Sequence, residues 1–108
     1  MAKKITMDSV NAFLAGKEFR RENMAVSTNG DVTYLRLWGN TIATKTNDGR
    51  VYIDACGWYT VTTKERLNYL LDNYGLPRIC QKNWLWYIGS NAWDGDKTCV
   101  YNPNTTMN

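Results

Sequence analysis

The chain reads as an α+β fold: an antiparallel sheet, a meander plus later strands, with one face covered by two short helices. Two observations predict it. Residues 24–56 hold short alternating runs separated by three turn signals. Residues 63–74 hold an amphipathic helix whose apolar stripe is the natural cover for that sheet. At 108 residues the chain makes a single domain, expected over residues 1–102, with 103–108 as a flexible polar tail.

Each element has a local cause. Met7 to Ala15 forms a helix, since Val10, Phe13 and Leu14 share one helical face. Thr6 or Asp8 caps it and Gly16 ends it. Lys17 to Asn23 is a charged connector. Asn29-Gly30-Asp31 signals a hairpin. In Val32 to Trp38, Leu35 and Leu37 take one face, and Tyr34, Arg36 and Trp38 the other. Gly39-Asn40 turns the chain into a threonine-rich strand, Thr41 to Thr46, and Asn47-Asp48-Gly49 turns it again. Val51, Ile53 and Ala55 then alternate with Tyr52, Asp54 and Cys56.

The second helix spans about Thr63 to Tyr74. Leu67, Leu70, Leu71 and Tyr74 form its apolar stripe, and Glu65, Asn68, Asp72 and Asn73 its wet side. Thr62 and Glu65 have the spacing of a capping box. Gly75 and Pro77 stop the helix. Arg78 to Gln81 and Trp84 to Ile88 are strands joined at Lys82-Asn83, and Asp94-Gly95-Asp96 precedes a last strand, Lys97 to Tyr101.

Composition removes several function classes. Histidine is absent, which takes away Ser-His and Cys-His nucleophile pairs and the commonest general base. Cys56, Cys80 and Cys99 are odd in number and far apart, without zinc-site spacing. They are expected to be unlinked, buried or half-buried thiols in a reducing cytoplasm. No apolar run is long enough for a membrane helix, and no secretory signal opens the chain. No enzyme, cofactor, metal or membrane partner is expected. A net charge of +3 permits a nucleic-acid partner without arguing for one. Asp94 and Asp96 flank a glycine as turn residues do, and lack the further ligands of a calcium loop.

Two candidate sites remain. Five Trp are hard to enclose in a core of this size, so an exposed aromatic binding face is expected from Tyr34, Trp38, Trp58, Trp84, Trp86 and Trp93, with Arg36 beside it. Tyr34, Arg36 and Trp38, with Lys45 and Arg50 on neighbouring strands, interleave aromatic and basic residues as single-stranded nucleic acid requires. Thr62, Thr63, Lys64 and Arg66 at the second helix start are a candidate anion site, against which stands a self-capped helix.

Three segments also carry a resemblance: Leu35 to Ala43, Gly57 to Asn68, and Gln81-Lys82 before Trp86-Tyr87. Together they resemble a family of small proteins of tailed bacteriophages over roughly residues 33–95, with the first helix and the C-terminal tail outside it. The family is without an assigned activity, so no site residue is implied. What the resemblance implies is a setting, an accessory phage protein in the cytoplasm of an infected bacterium. The expected function is stoichiometric, non-enzymatic binding of a host macromolecule such as a defence or regulatory protein. The alternative is single-stranded nucleic-acid binding.

Overall fold

The computed structural model describes residues 3–104. Helix α1 (Lys4–Ala15) leads into strands β1 (Phe19–Arg21), β2 (Met24–Thr28), β3 (Thr33–Leu37), β4 (Asn40–Lys45) and β5 (Val51–Ile53). Helix α2 (Val61–Asn73) follows, then β6 (Ile79–Lys82), β7 (Leu85–Ile88), β8 (Asn91–Ala92) and β9 (Thr98–Tyr101). The α+β class is as expected, but the later strands do not extend one sheet. Five meander strands and β9 form a six-stranded sheet, ordered β1-β2-β3-β4-β5-β9, while β6, β7 and β8 form a separate small one. All pairings are antiparallel.

The alternation of the meander places its core. Met24, Val26, Leu35, Leu37, Val51 and Ile53 point inward, where Val10 and Phe13 of α1 and Leu67, Leu70 and Leu71 of α2 join them. A bulge opposite Leu35 and Arg36 lets two successive residues, Ile42 and Ala43, both be buried. The opposite face carries the row Ser27, Tyr34, Thr44, Tyr52 and Cys99, read from the strand registers.

Several boundaries differ from the sequence reading. The first helix begins at Lys4, so Thr6 and Asp8 lie inside it and neither caps it. Asp8 instead pairs with Lys4 and Arg21. The charged connector contains β1, because Phe19 can pack on the core from an edge strand. Helix α2 is capped by Thr60, not Thr62: the Thr63 N–H donates to Thr60 Oγ1 at 3.1 Å. Glu65 makes no capping box, since its carboxylate accepts from the Lys3 N–H, Thr6 and Arg66. Burial works against that carboxylate, but the hydrogen bonds from Thr6 and Lys3, with the Arg66 guanidinium, outweigh it and hold Glu65 below its ordinary pKa.

Asn68 is not on a wet side. It is only 8% exposed. Its amide accepts from the Ile79 N–H at 2.6 Å and donates to the Ile79 carbonyl at 3.0 Å, pinning the small sheet to α2. Lys45 also leaves the face expected of it, its ammonium donating to the Leu14 carbonyl at the end of α1. Cys80 and Cys99 are exposed rather than buried. The Asp94 carboxylate accepts from the Asp96 N–H, as a turn residue does. Of the expected tail, Pro103 stands over Gly49, 3.0 Å from where a β-carbon would sit, and Asn104 donates to Asp48. Residues 105–108 lie outside the described residues.

Candidate functional site

The seven residues expected to form one aromatic face are divided among four places. Tyr34 and Arg36 lie on the outer face of the large sheet, with the Arg36 guanidinium 5.1 Å from the Tyr34 ring centroid. Arg36 also donates to Ser27 across the strand pair. Trp86 and Trp93 are core residues, which corrects the expectation that they are exposed. Their rings lie 6.1 Å apart, Tyr59 meets Trp86 edge-on at 5.2 Å, and the Trp93 Nε1–H donates to the Asp96 carbonyl. They close the end of the core under the small sheet, where leucines alone would leave their space unfilled. Gly95 belongs to the same packing: a β-carbon there would come within 2.7 Å of the Tyr59 ring.

The remaining three, Trp38, Trp58 and Trp84, are 73%, 56% and 90% exposed. None sits on a strand. Trp38 and Gly39 are the two central residues of the β3–β4 hairpin, with φ of 53° and 82°. Asn83 and Trp84 hold the same positions between β6 and β7, with φ of 53° and 71°. Trp58 closes a third such turn, Cys56 and Gly57 having φ of 55° and 76° and the Trp58 N–H donating to the Ala55 carbonyl at 2.9 Å. Two positive φ values in succession mark the tight turn that suits Asn-Gly. The expected Gly39-Asn40 and Lys82-Asn83 turns are each displaced by one residue. That displacement carries Trp38 and Trp84 from a strand face to a hairpin tip.

Trp38 and Trp58 flank a slot of about 210 Å³. Leu37 and Ile42 are its apolar lining, and Asn40, Thr60, Thr62 and Thr63 are its polar lining. Both tryptophans are held at the main chain. The Trp38 N–H donates to the Asn23 carbonyl at 2.8 Å, and the Asn23 side chain accepts from Arg66 at 3.2 Å. Arg66 is 3% exposed and also donates to Thr6 at 2.7 Å and to Glu65. Behind Trp58, the Cys56 Sγ lies 3.0 Å from the Thr41 carbonyl and the Asp54 carboxylate accepts the Cys56 N–H. Burial, then the Asp54 charge, push the Cys56 thiol above its ordinary pKa, which keeps it protonated at neutral pH.

The four residues of the candidate anion site do not converge. Thr63 is buried and bonded to Thr60. Arg66 is turned into the α1–α2 seam. Lys64 places its ammonium 5.9 Å over the Trp86 ring. Only Thr62 and Thr63 reach the slot. The sequence could not show this, because Glu65 and Arg66 find their partners on α1 and on the β1–β2 turn. The slot itself is signalled in sequence only by two tryptophans beside glycines, Trp38-Gly39 and Gly57-Trp58.

A family model described as Kyanoviridae Gp96 protein matches residues 2–107, and the chain belongs to that family. The resemblance to small tailed-phage proteins therefore holds, and it extends over the first helix as well. No curated protein and no solved structure matches the chain. Among the described residues, no helix is long and apolar enough to cross a membrane.

Proposed function

We propose that this member of the Kyanoviridae Gp96 family is a non-enzymatic accessory protein that binds a host macromolecule stoichiometrically in the cytoplasm of the infected bacterium. The partner class is a host defence or regulatory protein, and Trp38, Trp58 and Trp84 are the contact residues. One observation carries this reading: two of the largest exposed side chains, Trp38 and Trp84, stand at left-handed positions of tight turns where a bulky residue is unfavourable. A left-handed conformation costs a residue with a β-carbon roughly 1–2 kcal/mol. An exposed indole regains little of that by burial. Tryptophan at such a position is therefore a cost in the free protein and a gain in a complex, where it is among the residues that dominate interface energies.

A second reading, single-stranded nucleic acid on the outer sheet face, draws on Tyr34, Arg36, Tyr52 and Lys97. It has weaker support, because the rings are already covered: Arg36 lies over Tyr34 and Lys97 over Tyr52 at 5.1 Å each.

The test is capture from host lysate with and without nuclease, followed by affinity measurement against the purified captured protein. Trp38→Asn, Trp58→Ala and Trp84→Gly should each weaken binding by about 30-fold, the hot-spot threshold of about 2 kcal/mol, and the variants at the strained positions 38 and 84 should leave the melting temperature no lower. Affinity unchanged in all three variants would refute the assignment of contacts. Capture abolished by nuclease, with a steep loss of affinity in salt, would move the reading to nucleic acid.

A further inference from the structure

Resting on that reading, we infer that the host protein presents an acidic side chain, aspartate or glutamate, which docks between Arg20 and Arg36 on the outer face of the large sheet. The charge pattern of the sheet is the first argument. None of its six strands contains a carboxylate, and their cations are Arg20, Arg21, Arg36 and Lys45. Two of these are taken up by α1, Arg21 at Asp8 and Lys45 at the Leu14 carbonyl. Arg20 and Arg36 are in no ion pair among the described residues. Two guanidiniums left without a carboxylate are complementary to an anion, and their planar forks match a carboxylate in particular.

The strand register places the two together. Arg20 lies opposite Ala25, and Ala25 opposite Arg36. Their main chains are therefore two strand spacings apart, roughly 10 Å, with only a methyl group between them. A concavity of about 440 Å³ lies there, and Trp38, already assigned as a contact residue, lines it too. Arg36 is held before contact, its guanidinium over Tyr34 and donating to Ser27. Ser27 takes one of five N–H donors and leaves the others for an incoming group. The rim then selects a single carboxylate over a run of phosphates. Glu18 and Glu22, at the two ends of β1, line the same concavity. Glu18 accepts the Thr28 N–H at 2.7 Å and Glu22 lies 3.9 Å from Arg21, so neither neutralises Arg20 or Arg36. Both would repel the repeating charge of a nucleic-acid backbone, whereas one carboxylate needs only the two guanidiniums.

The test is a ¹⁵N heteronuclear NMR titration of the full chain with N-acetyl-triglutamate amide, N-acetyl-triglutamine amide, inorganic phosphate and a short oligothymidylate. Triglutamate should shift the Nε–H signals of Arg20 and Arg36 and the amide of Ala25. Triglutamine, phosphate and oligothymidylate should each bind at least about tenfold more weakly. Against the captured host protein, Arg20→Gln and Arg36→Gln should each lower affinity at least about tenfold. Arg20 is exposed on an edge strand, so its variant keeps the fold and the test stands even if Arg36→Gln does not. The inference is overturned if triglutamate leaves those signals unmoved, if any other probe matches it, or if the folded arginine variants bind the host protein as the parent does. Loss of host-protein binding in Trp58→Ala or Trp84→Gly, with none in the arginine variants, would overturn the acidic contact and leave the wider reading standing.

Discussion

Replacing Asn68 by alanine should detach the small sheet from the second helix. The side chain makes two hydrogen bonds to one residue, accepting the Ile79 N–H at 2.6 Å and donating to the Ile79 carbonyl at 3.0 Å. Ile79 is 3% exposed, so neither group could turn to water without local opening. Leaving a buried backbone donor or acceptor unsatisfied costs about 1–3 kcal/mol. Two such groups cost about 2–6 kcal/mol, and the better helix propensity of alanine returns some tenths, leaving about 2–5 kcal/mol. For a chain of 108 residues, the usual entropy of unfolding makes 1 kcal/mol worth about 4 °C, so the melting temperature should fall by about 10–20 °C. Circular dichroism reads the melt, and hydrogen exchange at the Ile79 amide reads the opening. Asn68→Leu, close to asparagine in size, should be no better tolerated; rescue by leucine would point to a cavity instead. A melting temperature within about 2 °C of the parent, with Ile79 exchange unchanged, would refute the pinning role.

Thr60→Ala should cost about 1 kcal/mol by chemical denaturation through loss of the helix cap, whereas Thr62→Ala should stay within about 0.5 kcal/mol. The Glu65 carboxyl lies below its ordinary value of 4.5 in the folded chain, so its contribution is complete above that pH and is lost as the pH falls through the folded value. Stability curves of the parent and Glu65→Gln should therefore converge on acidification below about pH 4.5, and a constant gap would argue against the sign. With a thiol reagent under native conditions, exposed Cys80 and Cys99 should react promptly and Cys56 only slowly; three equal rates would mean that the turn before Trp58 is open.

What the sequence makes legible is periodic and local. The stripe Leu67, Leu70 and Leu71 is fully buried as its spacing predicts, and so are Val51, Ile53 and Ala55. What it hides depends on partners distant in the chain. Asn68 occupies a polar helical position, and only the arrival of Ile79 eleven residues later makes it a buried clamp. Glu65 and Arg66 resemble a capping carboxylate and an exposed cation until Thr6, nearly sixty residues earlier, meets both. Thr60, Thr62 and Thr63 are equally able to cap, so composition alone could not choose among them. At the candidate site a displacement of one residue decides the outcome. If the hairpin turned at Gly39-Asn40, Trp38 would lie beside Arg36 on the sheet. Turning at Trp38-Gly39, it stands at the tip and faces the slot.

The tryptophans divide by what surrounds them. Trp86 and Trp93 have hydrogen-bonded or stacked partners and fill the core. Trp38 and Trp84 have the backbone strain of left-handed turns without that burial. Asparagine or glycine would occupy both positions at lower cost, since tight hairpin turns favour them. Stability alone therefore selects against tryptophan at positions 38 and 84. A residue that costs folding energy and is not repaid within its own chain is best explained by a use outside it, and strained positions cluster at functional sites for that reason. Trp58 adds the geometric half of the case. It reaches the same slot as Trp38 from a separate turn, and the two are braced independently, one through Asn23 and Arg66, the other through Asp54 and Thr41. Both turns that carry the exposed rings are thus held at the main chain on either side of one opening. Such a frame favours binding, because turns fixed before contact lose less entropy when a partner arrives.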